Sequence, residues 1–207
     1  MALYVLNGVN RGIGLELSRQ LIQSGHDVIA VCRKSCVELE NMGARIISGI
    51  DVQADDMESR LNAALADVVS IDVLISVAGI WRSESIEDMN MATIAEQFQV
   101  NALGSLRFIM ALQDRLQQGS KIAVITSRMG SIADNTSGGR YGYRMSKAAL
   151  NAAAASLAID MKSRGVAVTI LHPGYVATDM TGHKGMAVSE SCQQLHERIA
   201  ECDLSNT

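Results

Sequence analysis

The 207 residues hold one proline, 3% aromatic residues and no excess of basic charge. Eighteen Lys and Arg stand against 22 Asp and Glu, for a formal net charge of −4. A nucleic-acid binder would carry a basic stripe, and the charges here are mixed along the chain. No apolar run is long enough to cross a bilayer. The opening Met1-Ala2-Leu3-Tyr4-Val5-Leu6-Asn7 lacks a basic leader region, so no signal peptide is expected and a cytoplasmic location is. The four cysteines, Cys32, Cys36, Cys192 and Cys202, have spacings that match no zinc pattern, so reduced thiols and no metal are expected. Linker composition and internal repeats are also absent. One domain over residues 1–207 follows.

What is present is apolar residue, 48% of the chain, in short runs that alternate with helical patterns. Strands are expected at Leu3–Leu6, Val28–Cys32, Ala44–Ser48, Val73–Val77, Ile122–Thr126 and Val166–Leu171. Helices are expected at Leu15–Ser24, Met57–Val69, Met91–Leu116, Ala148–Lys162 and about Ser189–Glu201. The strands are nearly continuous apolar runs, the pattern of burial on both faces. A doubly wound, three-layer α/β fold of the Rossmann type with a six-stranded parallel sheet follows.

Gly8-Val9-Asn10-Arg11-Gly12-Ile13-Gly14 lies between the first strand and the first helix. Glycines there permit a tight turn and let a pyrophosphate approach the backbone, while the helix behind offers free N–H groups. Dinucleotide sites that take NAD usually end the second strand on an acid. Here Cys32 ends it and Arg33-Lys34 follow. With Arg11, these residues favour a 2′-phosphate and hence NADP(H) over NAD(H).

Tyr143 and Lys147, four apart on one helical face, can address a single site. Carbonyl reduction needs a proton donor for the forming alkoxide, and a nearby ammonium is expected to lower the phenol's pKa. Tyr141 has Met145 at the equivalent position and is set aside.

These residues, in this order, resemble the short-chain dehydrogenase/reductase family over roughly Ala2 to Met180. The spacing G-x-x-x-G-x-G is its first mark, with Asn7 where the family usually has threonine. The stretch from Asp134 to Tyr143 and the short length resemble the C-factor-like and carbonyl-reductase-like branch. The resemblance implies that Ser127 polarises the substrate carbonyl, that Asn101 distorts its helix and holds a water in a proton relay, and that Lys147 binds the ribose. It places Asp51-Val52 near the adenine, Ala78-Gly79 along the cofactor, and Pro173, Gly174, Val176 and Thr178 beside the nicotinamide. Two departures stand out. Ser76-Val77 replaces the family's paired asparagines, and no seventh edge strand follows Leu171.

The implied function is hydride transfer between NADP(H) and a small carbonyl or alcohol substrate, with Tyr143 as acid/base. The alternative is a dinucleotide-binding signalling or scaffold protein with little turnover. Trp81, Arg128, Met129, Tyr175 and the segment after Met180, with Gly182 and Gly185, are pocket candidates. The alanine-rich helix is compatible with packing in a homodimer or homotetramer.

Overall fold

The computed structural model describes residues 1–207. Six parallel strands form one sheet in the order β3-β2-β1-β4-β5-β6: β1 (Leu3–Asn7), β2 (Asp27–Val31), β3 (Arg45–Ile47), β4 (Ile71–Ser76), β5 (Leu116–Ile125) and β6 (Ala167–Leu171). The helices are α1 (Gly12–Gln23), α2 (Val37–Glu40), α3 (Met57–Ala64), α4 (Met91–Phe98), α5 (Ser105–Leu112), α6 (Tyr141–Lys162) and α7 (Val188–Glu201). Growth of the sheet reverses between β1 and β4, and that switch opens a crevice at the strands' C-terminal ends.

Strand residues alternate between two cores. Val5, Leu74, Ile122 and Val124 face a layer that includes Leu61 of α3, Phe108 of α5 and Leu157 of α6. Leu6, Val73, Ile75 and Ala123 face Leu17 and Leu21 of α1 with Cys192, Leu195 and Ile199 of α7. Burial on both faces is why the strands read as unbroken apolar runs.

Several elements differ from the sequence-based expectation: α6 begins at Tyr141, ahead of Ala148, and the short α2 was not expected. The helix expected at Met91–Leu116 is interrupted by a π-helical turn, Gln99–Gly104, and ends at Leu112. β5 begins six residues early, because Leu116 pairs with Ile71 of β4, and exposed Gln117, Gln118 and Gly119 fill the register shift before Lys121 pairs with Val73, a continuation that polar composition conceals. The helix expected at Met57–Val69 ends at Ala64. β6 is the open edge of the sheet, where the Thr207 hydroxyl both accepts from Val168 N (2.6 Å) and donates to Val168 O (2.7 Å). All four cysteines are unpaired, and no helix is long and apolar enough to cross a membrane.

Candidate active site

The turn after β1 is built by close approach. Gly8 (φ 68°) lies so near β4 that a Cβ would come within 2.7 Å of the Ala78 backbone, and a Cβ on Gly14 would collide with the Gly8 carbonyl. The N-terminus of α1 has no side-chain cap and no acid in its first turn, so no side chain there satisfies or neutralises its first N–H groups. Asn7, buried at the end of β1, reaches across: its Oδ1 accepts from Val77 N (2.7 Å) and Ala78 N (2.9 Å). That pair of bonds fixes Ala78-Gly79 although Ser76-Val77 stands where asparagines were expected. The bridge is longer-ranged than the local bonding that an asparagine before a turn suggests.

A cavity of about 510 Å³ beside the turn is lined by Asn10, Arg33, Lys34, Gly49 and Asp51. Arg33 and Lys34 therefore share one space with the Asp51 carboxylate. Two details differ from expectation. Asp51 lies 3.8 Å from the Arg33 guanidinium, and Arg11 turns away to pair with Asp179 at 3.5 Å. Val52 is buried and touches the place of Gly104 in the π turn, where a Cβ would meet its Cγ2 at 2.7 Å. Thr178 approaches the turn from the opposite side, within 3.3 Å of a Cβ placed on Gly12. Pro173 is tied to α7 by the Ser191 hydroxyl (2.7 Å). The segment after Gly174 is knitted to itself: Val176 is buried and bridges to Met186, Ala177 N donates to Met186 O, and Met186 N donates to Tyr175 O.

Tyr143 and Lys147 sit in the first two turns of α6, both buried. Lys147 Nζ donates to Ile125 O at the end of β5 (2.9 Å) and lies 5.9 Å from the Tyr143 ring centre. Burial lowers the Lys147 ammonium to about 8. Burial also raises the Tyr143 phenol above its ordinary value, and the neighbouring Ser127 hydroxyl opposes part of that rise. The expectation of a phenol lowered by the ammonium is thus reversed, because burial is the largest influence on the phenol and only the Ser127 hydroxyl opposes it. Ser127 follows β5 and caps a short 3₁₀ turn, accepting from Met129 N (3.2 Å). Gly130 in that turn rests on α6 so closely that a Cβ would fall 2.8 Å from the Lys147 backbone.

Asn101 occupies the π turn, completely buried. Its Oδ1 accepts from Ile80 N (2.7 Å), and its Nδ2 donates to Ile80 O and to Ser146 Oγ (both 3.0 Å). Ser146 in turn donates to Tyr143 O (2.9 Å). A Cβ on Gly79 would come 3.4 Å from Asn101 Oδ1 and 3.7 Å from Lys147 Nζ, so the glycine leaves a gap that both groups border. Trp81 is half-buried with its ring 4.7 Å from that of Tyr143, and the Arg140 guanidinium lies over it at 5.7 Å. Arg128 pairs with Asp134 (3.0 Å), Met129 is half-buried and Tyr175 is exposed. Sequence reading missed Ser146, Gly130 and the buried Glu84, none of which carries a motif of its own.

Residues 3–188 match the family model described as short chain dehydrogenase. The chain belongs to the short-chain dehydrogenase family. Within that family it is 39% identical over 182 residues to 1-hydroxy-2-glutathionyl-2-methyl-3-butene dehydrogenase of Rhodococcus sp. (strain AD45), covering 87% of this chain and 80% of that one. It is 48% identical over 117 residues to C-signal of Myxococcus xanthus, covering 54% of this chain and 69% of the relative. Among solved structures, the carbonyl reductase Sniffer of D. melanogaster superposes with a TM-score of 0.91 at 28% identity, over 100% of this chain and 94% of that one. A short-chain dehydrogenase/reductase of Burkholderia multivorans with bound NADP superposes at 0.88 and 25% identity, over 97% and 92%. The chain thus sits beside both C-signal and the carbonyl reductases within the short-chain dehydrogenases.

Proposed function

We propose that the protein is an NADP(H)-dependent carbonyl reductase or alcohol dehydrogenase of small molecules, with Tyr143 as its acid/base. The observation that carries this reading is the burial of Tyr143 and Lys147 side by side, with the Ser127 hydroxyl next to the phenol. Burial keeps the Tyr143 phenol protonated at neutral pH, the form a proton donor needs, although the rise by itself makes it a weaker acid. An ammonium near 8 stays largely cationic at pH 7 and can favour the phenolate as the proton leaves.

The cradle fits a dinucleotide. Gly8 and Gly14 keep the turn free of side chains, the α1 N-terminus offers N–H groups, and Arg33, Lys34 and Asn10 line a cavity suited to a 2′-phosphate. A bound nicotinamide supplies the hydride. Ser127 polarises the carbonyl oxygen, Tyr143 protonates it, and Lys147, whose Nζ lies against Ile125 O, would hold the ribose of a bound dinucleotide. Asn101 borders the gap at Gly79 through which a proton can be resupplied. Likeness to a carbonyl reductase and to an NADP-bound relative supports the same assignment.

Oxidation of NADPH, followed by absorbance against aldehydes, ketones and diketones, tests the reading. Tyr143→Phe is expected to abolish turnover while NADPH still binds, and retained turnover would overturn the assignment. Likeness to C-signal favours a second reading, a dinucleotide-binding signalling protein with little turnover. Tight NADPH binding with no carbonyl reduced would favour that one.

A further inference from the structure

Glu84 is 2% exposed, and no basic side chain pairs with it. A carboxylate removed from water without a counter-charge persists only where hydrogen bonds replace its hydration. Three do so. Oε1 accepts from Thr93 Oγ1 (2.8 Å) and Gln97 Nε2 (2.7 Å), both on α4, and Oε2 accepts from Gly142 N (3.1 Å) in the first turn of α6. The Glu84 carbonyl also accepts from Arg140 N (2.6 Å). One residue in the loop after β4 therefore takes two amides at the start of the helix that carries Tyr143 and Lys147.

The backbone it holds is an unusual one. Gly138, Gly139 and Arg140 lie in succession in the left-handed region, at φ 59°, 62° and 55°. For arginine that conformation is unfavourable, and such geometry persists where its surroundings over-determine it. Arg140, the N-cap of α6, makes no side-chain cap bond of its own, so Glu84 supplies a cap from 58 residues away. The network extends back to the loop, since Gln97, fully buried, accepts from Arg82 N through Oε1 (2.9 Å). The same loop carries Trp81, whose ring lies on Tyr143.

We infer that Glu84 is a positioning residue that clamps the first turn of α6 to the loop after β4 and so fixes the Tyr143 phenol relative to Ser127 and the substrate. It rests on the assignment of Tyr143 as proton donor. Glu84 touches no reacting atom; it acts through Gly142, Arg140 and Trp81. Misplacement of a reacting group by about 1 Å costs on the order of 100-fold in rate, so a clamp one residue from the phenol has leverage on turnover.

Glu84→Gln preserves shape but presents one acceptor and one donor, leaving either Gly142 N or the Thr93–Gln97 pair facing an N–H. Four readouts are compared with wild type: amide exchange at Arg140 and Gly142, NADPH Kd, kcat per NADPH-binding site, and the solvent deuterium isotope effect on kcat. Faster exchange at both amides is expected, with NADPH affinity nearly unchanged. The expected fall in kcat per site is roughly 10- to 100-fold, with a larger isotope effect because the proton step has been slowed. Thr93→Val, which removes one bond on the α4 side only, should have a much smaller effect. Should the glutamine variant not fold, Glu84→Asp keeps the charge but shortens the reach, and it is read by the same four measurements.

A folded, NADPH-binding variant with wild-type kcat and isotope effect would overturn the inference. So would activity lost only in proportion to lost NADPH-binding sites, which marks a purely structural role. Failure of the underlying assignment looks different: the wild type reduces no carbonyl, or Tyr143→Phe retains turnover. Either result removes the catalytic claim together with its clamp.

Discussion

Asn7 and Lys147 illustrate how much a single side chain decides here, one through hydrogen bonds and the other through charge. Asn7→Ala leaves Val77 N and Ala78 N without their acceptor. The expected loss is about 2 kcal/mol of stability in urea unfolding, together with weaker NADPH binding because Ala78-Gly79 is no longer held. Lys147 is depressed by burial from 10.5 to about 8, so between those values the unfolded chain binds more protons than the folded one. Stability should therefore rise with pH across that window, by up to about 3 kcal/mol relative to Lys147→Met. Urea unfolding of both proteins from pH 8 to 9.5 checks this, and parallel curves would contradict it. Tyr143 acts in the opposite sense. Its raised pKa gives a contribution that is lost only as the pH climbs past 10 toward the folded value. The nearness of Tyr143 to Lys147 was legible from their spacing, and that of Ser127 and Asn101 from the family resemblance. The direction of the Tyr143 shift was not, because desolvation depends on how deeply the fold buries the phenol.

Helices and strands were legible where their apolar period was uninterrupted. α1, α7, β2 and β6 fall within a few residues of expectation, since each buries one clean face or lies wholly inside. The π turn at Gln99–Gly104 is the distortion at Asn101 that the family resemblance implied; the apolar pattern alone did not show it, because an extra residue in a helical turn leaves the local composition unchanged. Its cause is the Asn101 side chain, which bonds both backbone groups of Ile80. Packing between elements was equally invisible. Gly142 lies against α4, where a Cβ would come 2.9 Å from the Ile94 Cα and overlap Gln97. Gly142→Ala should therefore force α6 off α4 and cost about 1–3 kcal/mol, read as a lower urea midpoint, although alanine is ordinarily the better helix former. A midpoint at or above wild type would show that the two helices can separate freely.

Across the whole molecule, the six-stranded parallel sheet with helices on both faces followed from alternation, whereas the strand order, the pairing of Arg11 with Asp179 and that of Arg33 with Asp51 depended on tertiary geometry. Cofactor choice is tested at this scale by linkage. NADPH at 100 times its Kd should stabilise the fold by about 2.7 kcal/mol, a rise in Tm of roughly 5–10 °C for a chain of this size. NADH at the same concentration should give a smaller rise, and Arg33→Ala should narrow the gap between the two. Equal shifts in the wild type would set aside the preference for the 2′-phosphate. A further consequence attaches to Trp81, the only tryptophan in the chain, lying against Tyr143. All indole emission arises at that one position, so the protein carries an optical reporter beside the phenol proposed as its acid/base. Substrates, inhibitors and reduced cofactor arriving there can be followed by quenching or energy transfer, without a label and whether or not turnover occurs.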